Sequence, residues 1–437
     1  MSKIDLNGIG MVFIVDSETR VIGVASDGDI RSAMLDGSEL CDSIQGVFNS
    51  NFKWSLESES REVVLKSLDS EIKAIPLLDE DMRLVDVATA NSFSLYLEKN
   101  TVARAKAPVR VSFSGGGSDL THYFMGSDSG AVINATISLY CHATLRPRKD
   151  EKIIIDSFDL NETIEYKNLD NMLSEDDSFG LFRSLIKLIK PEYGFDLTVK
   201  SDFPPGSGLG GSSSVMVAVL GCFNEFRRDK WSDYELSEIA FQAERFDMGI
   251  SGGWQDQYAT VFGGFNFIEF KKDNNLIHPL RLPDKTILEL EESLVLFEIS
   301  SGRDSGSIHD SQKISMQNSK IQDLVRQNVD HSYYMKEKIL KGKLRDFGLG
   351  LDVAWNLKRQ FSNKISNDKL NELYSYAIDN GALGGKLLGA GGGGFFMFFV
   401  ENFSKNAFLR SMKQLGFTET RFQFDDKGMQ SWTMRDA

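Results

Sequence analysis

Over the first hundred residues the apolar positions come in short blocks separated by polar turns. Gly10-Met-Val-Phe-Ile-Val15 reads as a buried strand, Asp16-Ser-Glu-Thr as a turn and Arg20-Val-Ile-Gly-Val-Ala25 as a second strand, with a helix starting near Asp27. The same order returns in Ala74-Ile-Pro-Leu-Leu78, Asp79-Glu-Asp-Met and Arg83-Leu-Val-Asp-Val87, led in by a helix over Ser60 to Leu68. Two copies of one pattern predict an internal repeat. Residues 97–104 are mainly polar and predict a junction, with a new domain starting at about Arg104. Beyond it, strand and helix patterns mix without a regular β-α alternation, so the expected class is α+β. The expected domains are 1–100, 101–285 and 286–437.

Three glycine-rich segments interrupt this pattern. Phe195 to Phe203 reads as a strand, Pro204-Pro-Gly-Ser-Gly-Leu-Gly-Gly-Ser-Ser-Ser214 as a loop, and Val215 to about Phe226 as an apolar helix. Glycines let the backbone approach a ligand closely, and a helix start offers unpaired N–H groups with partial positive charge, so phosphate is the natural guest. The segment has neither G-x-x-x-x-G-K-[ST] nor G-x-G-x-x-G with its acidic partner, which excludes a P-loop and a Rossmann site. The segment Ala107-Pro-Val-Arg-Val-Ser-Phe-Ser-Gly-Gly-Gly-Ser-Asp119 is a strand that runs into glycines and a carboxylate. Arg110 there can stabilise phosphoryl charge; Asp119 can hold sugar hydroxyls, though on local grounds it fits the cap of the next helix better. The last segment, Lys386-Leu-Leu-Gly-Ala-Gly-Gly-Gly-Gly-Phe395, enters an apolar strand, where consecutive glycines carry a large entropic cost. Close packing against another loop or a ligand is the expected reason.

These segments resemble, in order, the three motifs of the GHMP superfamily (galacto-, homoserine, mevalonate and phosphomevalonate kinases), with Gly211 replacing the first common serine of the nucleotide loop. Gly253-Trp-Gln-Asp-Gln-Tyr258 and Phe262 to Phe270 look most like the sugar-1-kinases that act on D-glycero-D-manno-heptose 7-phosphate, with L-fucose kinase domains as near relatives; Trp254 stands where lysine is expected. The resemblance implies a ribosomal protein S5 domain 2-like N-terminal lobe and a ferredoxin-like C-terminal lobe. It implies ATP on Pro205, Gly206, Gly208 and Leu209 of the loop and on Gly210, Gly211, Ser212, Ser213 and Ser214 at the helix start. Magnesium falls to Ser212, or Ser213 in its place, with Glu244, which lies on a helix opened by a Ser232-x-x-Glu235 capping box. Asp256 is the implied catalytic base and Arg110 its electrostatic partner. The sugar is assigned Gly116, Gly117, Ser118, Asp119 and His122 at the first motif, and Gly391 and Gly392 at the third. Arg303, in the polar loop Ser300 to Ser307, is expected to bind a phosphate already on the substrate.

The repeated N-terminal pattern resembles a pair of CBS domains, in which Thr/Ser-x-x-Asp contacts an adenine nucleotide. Ser26-Asp-Gly-Asp29 matches through Ser26 and Asp29, whereas Thr89-Ala-Asn-Ser92 lacks the aspartate, so one site at most is implied. Such pairs also self-associate, which makes a homodimer an expectation. The implied function is phosphorylation of a sugar at C1, feeding nucleotide-sugar and surface polysaccharide synthesis. The alternatives are a kinase for fucose or another unphosphorylated sugar, and a non-catalytic nucleotide or sugar sensor.

Charge and cysteines narrow the setting. A formal net charge of −14, with no lysine or arginine run, argues against nucleic acid as a partner. Three cysteines at wide spacing form no disulfide framework or metal pattern, and the most apolar run, Phe395 to Val400, is too short for a bilayer. A cytoplasmic location is expected.

Overall fold

The computed structural model describes residues 2–39, 41–59, 61–69, 72–89, 101–126, 129–249, 251–300, 305–315 and 318–435. The chain divides into two compact units, Met1–Lys99 and Asn100–Ala437. Arg303 and the Ala90–Ser92 part of the second CBS-like motif lie outside the described residues.

In the first unit the repeat is visible in the turns. Met11–Val15 pairs antiparallel with Val21–Ser26, and Ala74–Leu78 with Leu84–Thr89. In one hairpin Asp16 Oδ1 accepts from the backbone N–H of Glu18 and Arg20, both at 2.9 Å; in the other Asp79 Oδ1 accepts from Asp81 at 3.0 Å and Arg83 at 2.8 Å. An aspartate that binds its own backbone two and four residues on is what fixes such a turn. The two turns then join reciprocally: Val21 N donates to Met82 O and Leu84 N to Thr19 O, each at 3.1 Å. Ser26 and Asp29 form a capping box on the helix Asp27–Leu35, with Asp29 N donating to Ser26 Oγ at 3.2 Å and Ser26 N to Asp29 Oδ2 at 2.7 Å.

The second unit is built on an eight-stranded mixed sheet. Two long strands, Thr101–Ser114 and Gly130–Pro147, run antiparallel through its centre, with the register slipping at Pro108/Val109 and again at Ser112/Ser114. Proline has no N–H to give the ladder, so the first slip falls where the pairing is weakest. The upper half of Gly130–Pro147 pairs with Phe265–Phe270 and its lower half with Phe195–Ser201. The helix Gly211–Glu225 packs on this sheet and is buried from Ser213 to Asn224 except at Val215. The strand Thr101–Ser114 begins ahead of the expected start at Arg104, because Thr101 to Lys106 pairs with the terminal strand Gln430–Arg435. No local pattern announces that partner.

A second sheet holds Leu294–Ser300, Gly394–Val400 and Ala382–Leu387, with Gly394–Val400 in the middle. Every residue of the central strand is buried, which explains its unbroken apolar run. The helices Ser319–Leu340, Leu344–Lys358 and Asp368–Asp379 belong to the same unit, and Trp355 stands edge-on to Phe396 with ring centroids 5.5 Å apart. Trp355 is fully buried, so Trp355→Ala is expected to destabilise this unit by about 3–5 kcal/mol in a denaturant titration.

Candidate active site

Arg110 sits on a strand between the fully buried Val109 and Val111, and only 3% of its own side chain is exposed. A buried guanidinium has to be paired. Its Nε and NH2 donate to Asp256 Oδ1 at 2.8 and 2.6 Å, and its NH1 donates to Gly208 O at 2.9 Å. Its backbone N–H donates to Leu209 O at 3.0 Å. One residue thereby joins the first motif, the phosphate-type loop and the Gln-Asp-Gln segment. Asp256 lies in the first turn of the helix Gln255–Phe262, where a carboxylate is favoured. Its Oδ2 has no hydrogen bond among the described residues and faces Gly210, where an added Cβ would stand 3.4 Å from it.

The helix Gly211–Glu225 has no side-chain cap, so its first N–H groups remain available to an anion. Behind them Ser212 Oγ donates to Glu244 Oε1, and Ser213 Oγ to Glu244 Oε2 at 2.9 Å. Gln257 Nε2 donates to Oε2 at 2.6 Å and Arg245 NH1 lies 3.4 Å from Oε1. Glu244 is 1% exposed and sits in a π-helical turn, Ala243–Asp247, that follows the helix Asp233–Gln242 opened by the expected Ser232/Glu235 capping box. The extra residue in that turn is a common device for aiming a functional side chain. Gly211 has its own reason: a Cβ there would meet Phe203 Cε2 at 2.6 Å, so a serine at this position would collide with the ring. Both following serines reach the carboxylate.

Asp119 does not cap the next helix. That helix, Thr121–Phe124, has Leu120 at its N-cap, while the Asp119 carboxylate accepts from Gly117 N at 2.9 Å and from Gln255 Nε2 at 3.1 Å. Tertiary partners outcompete the local cap. Burial raises the Asp119 carboxyl above the usual carboxylate range, and the charge of Asp256 raises it further. Gly253 is required beside it, because a Cβ there would fall 1.8 Å from Asp119 Oδ2. Trp254 stacks on Phe241 at 3.5 Å and donates from Nε1 to Thr121 Oγ1 at 2.9 Å, so it braces this loop from outside the cavity.

The third glycine segment packs against the loop, as expected. Gly389 has φ +72°, and a Cβ on it would stand 2.5 Å from Gly208 O. Lys358 Nζ donates to Gly389 O and Lys386 Nζ to Ser112 O, the latter at 2.7 Å. Burial holds the Lys386 amine well below its ordinary value, and the neighbouring Lys358 and Arg110 charges push the same way.

These groups border a cavity of about 370 Å³. Of the expected residues, Arg110, Gly117, Asp119, Asp256, Glu244 and Ser212 line it, with Pro205, Gly206, Gly208, Gly210 and Gly211 of the loop. Leu209, Ser213 and Ser214 lie behind the lining; Ser214 Oγ donates to Ala107 O at 2.6 Å. Gly116 looks onto Gln255 Nε2 and Lys358 Nζ, each 3.7 Å from its Cβ position. Ser118 turns inward, donating to Gly115 O at 2.7 Å; Gly391 packs on Ile365, Gly392 N donates to Ile365 O, and His122 is not part of the lining. The lining also includes residues that sequence reasoning missed. Leu160, Phe182, Val199 and Phe203 are apolar, and Arg245, His309 and Lys358 are polar. Val199 and Phe203 belong to the segment ahead of the loop and Arg245 directly follows Glu244, whereas Leu160, Phe182, His309 and Lys358 come from segments that carry no motif.

The family described as "GHMP kinases N terminal domain" matches residues 180–264, and the one described as "GHMP kinases C terminal" matches residues 335–416. D-glycero-alpha-D-manno-heptose 7-phosphate kinase of Campylobacter jejuni is 38% identical over 336 residues, which is 75% of this chain and 98% of that protein. A D-glycero-D-manno-heptose 1-phosphate kinase structure from Bacteroides thetaiotaomicron superposes with TM-score 0.63 at 30% identity, covering 76% of this chain and all of that one. A putative sugar kinase structure from Campylobacter jejuni gives TM-score 0.62 at 35% identity, covering 77% and 99%. The glycine loop on a helix start, its serine–glutamate contact and the buried Arg110–Asp256 pair thus occur on a shared fold: the chain is an ATP-dependent phosphotransferase and belongs to the GHMP kinases.

Proposed function

We propose that the chain transfers the γ-phosphoryl group of ATP to the anomeric C1 hydroxyl of D-glycero-D-manno-heptose 7-phosphate. The observation that carries the reading is the Arg110–Asp256 pair at the lip of the loop, taken with the 38% identity to the Campylobacter heptose 7-phosphate kinase. Two of the three Arg110 guanidinium nitrogens, Nε and NH2, hold Oδ1, which leaves Oδ2 of Asp256 to take the C1 hydroxyl proton as that oxygen attacks phosphorus. The O–P bond to ADP breaks as the new one forms. Arg110 balances charge that develops on the transferring group, and the loop N–H groups hold the remaining phosphates. Asp119, already oriented by Gly117 and Gln255, binds sugar hydroxyls.

The hydroxyl and carboxylate oxygens of Ser212 and Glu244, in direct contact, are a donor set that suits magnesium, with Ser213 on the other carboxylate oxygen. The metal supplies charge neutralisation on the nucleotide phosphates. For the N-terminal unit the reading is a CBS-like pair, supported by the two matched aspartate turns, with one adenine-nucleotide site at Ser26 and Asp29 that rests on the Ser-x-x-Asp resemblance. The three free cysteines fit a reducing cytoplasm, and no helix among the described residues is long and apolar enough to cross a membrane.

Asp256→Asn keeps the size of the side chain and removes the base, so kcat should fall by about 10²–10⁴-fold with the KM for ATP little changed in an ADP-release assay. Glu244→Gln should raise the magnesium concentration for half-maximal rate about tenfold in a titration at fixed ATP. A panel of heptose 7-phosphate, L-fucose and D-galactose tests the substrate: the heptose phosphate should give the highest kcat/KM, and a preference for either free sugar would overturn the assignment.

A further inference from the structure

The helix Ser305–Ser315 brings His309 and Gln312 to the cavity, and the proposed phosphoryl transfer uses neither. Gln312 is accounted for, because its Nε2 donates to Ala390 O at 3.0 Å and pins the helix to the third glycine segment. The two residues between His309 and Gln312 are also tied: Asp310 to Ser251, and Ser311 to Ser362 at 2.7 Å. His309 is thus anchored by the three residues that follow it. Even so, its Nδ1 is buried with no hydrogen-bond partner.

Gln255 repeats the situation. Its Nε2 is spent on Asp119, while its Oε1 is buried with no partner. A buried polar atom left unmet is destabilising, and these two belong to residues that line one cavity rather than a packed core. Their chemistry is also of one kind. Gln255 Oε1 can only accept, as can Asp256 Oδ2 when ionised. Burial, with the charges of Arg245 and Lys358 added, lowers the His309 imidazole to about 4, so at neutral pH the ring is uncharged and retains an acceptor nitrogen. Phosphate oxygens would leave such acceptors unsatisfied; hydroxyl groups would satisfy them.

We propose that His309 and Gln255 bind hydroxyl groups of the acceptor sugar and so help to fix which polyhydroxylated substrate presents its C1 oxygen to Asp256. This inference rests on the sugar-kinase reading above. The test uses full-length protein with ATP and magnesium, measuring KM for heptose 7-phosphate and for ATP in His309→Ala and His309→Gln, together with calorimetric binding of the sugar phosphate alone. His309→Ala should weaken the sugar phosphate about ten- to a hundred-fold in both KM and Kd, with the KM for ATP held within about twofold, and His309→Gln, which retains an acceptor oxygen, should recover part of the loss. An unchanged sugar KM in both variants overturns the proposal. An equal rise for sugar and ATP also overturns it, since that marks a structural role. Should the wild type prefer L-fucose or D-galactose, the substrate assignment falls, yet the same split measured with that sugar supports the His309 contact. A wild type that binds no sugar defeats both.

Discussion

The site depends on how a nearly inaccessible positive charge is neutralised. Arg110 is 3% exposed, on a strand flanked by Val109 and Val111, and a lone guanidinium there would carry a desolvation penalty of several kcal/mol. Asp256 removes most of that penalty, and the carbonyl of Gly208 takes a further donor. Because the partners come from a loop and a helix far away in sequence, the same requirement fixes the loop over the strand and sets the angle of the Asp256 carboxylate. The preorganisation that phosphoryl transfer needs is therefore a by-product of burying this arginine safely.

A second constraint follows from the loop. Its glycines lie close enough to the third glycine segment that Gly389 meets Gly208 backbone to backbone, and nothing larger fits. The run Gly391–Gly394 before the buried strand has a separate cause: all four residues take positive φ, and a Cβ on Gly391 would stand 2.7 Å from Ile365 Cα. Lys386 strengthens the connection from beneath, since its buried amine bonds to Ser112 O on the Arg110 strand. Both sheets of the catalytic unit thus bear on one stretch of backbone.

Much of this was legible in the sequence because it is local. A strand, a glycine loop and an apolar helix in succession are contiguous, and so are the capping box at Ser232 and the turns at Asp16 and Asp79. What was not legible came from long range. The terminal strand Gln430–Arg435 finds Thr101–Lys106 across more than three hundred residues, and Asp119 gives up a helix cap for Gln255. Gly211 looked like an ambiguity over which serine reaches the glutamate; the ring of Phe203 explains the glycine, and both serines turn out to make the contact. Arg245, His309 and Lys358 come from separate segments, so their shared cavity exists only once the chain is folded.

An acidic protein that handles anionic ligands has to localise its positive charge. The chain carries −14 overall, yet Arg110, Arg245 and Lys358 line the cavity, with Lys386 bonded to the Arg110 strand from the second sheet. Only part of that charge is available, since Arg110 is committed to Asp256 and burial disfavours the charged form of Lys386. On the reading proposed above, oriented N–H groups at the helix start take the part that a lysine has in a P-loop, without adding net charge to the interior. That division explains why the lip of the cavity can also hold acceptor-only groups such as Gln255 Oε1. On that same proposed reading, phosphate is met by dipoles and paired cations, which leaves the neutral and acidic side chains to recognise hydroxyls.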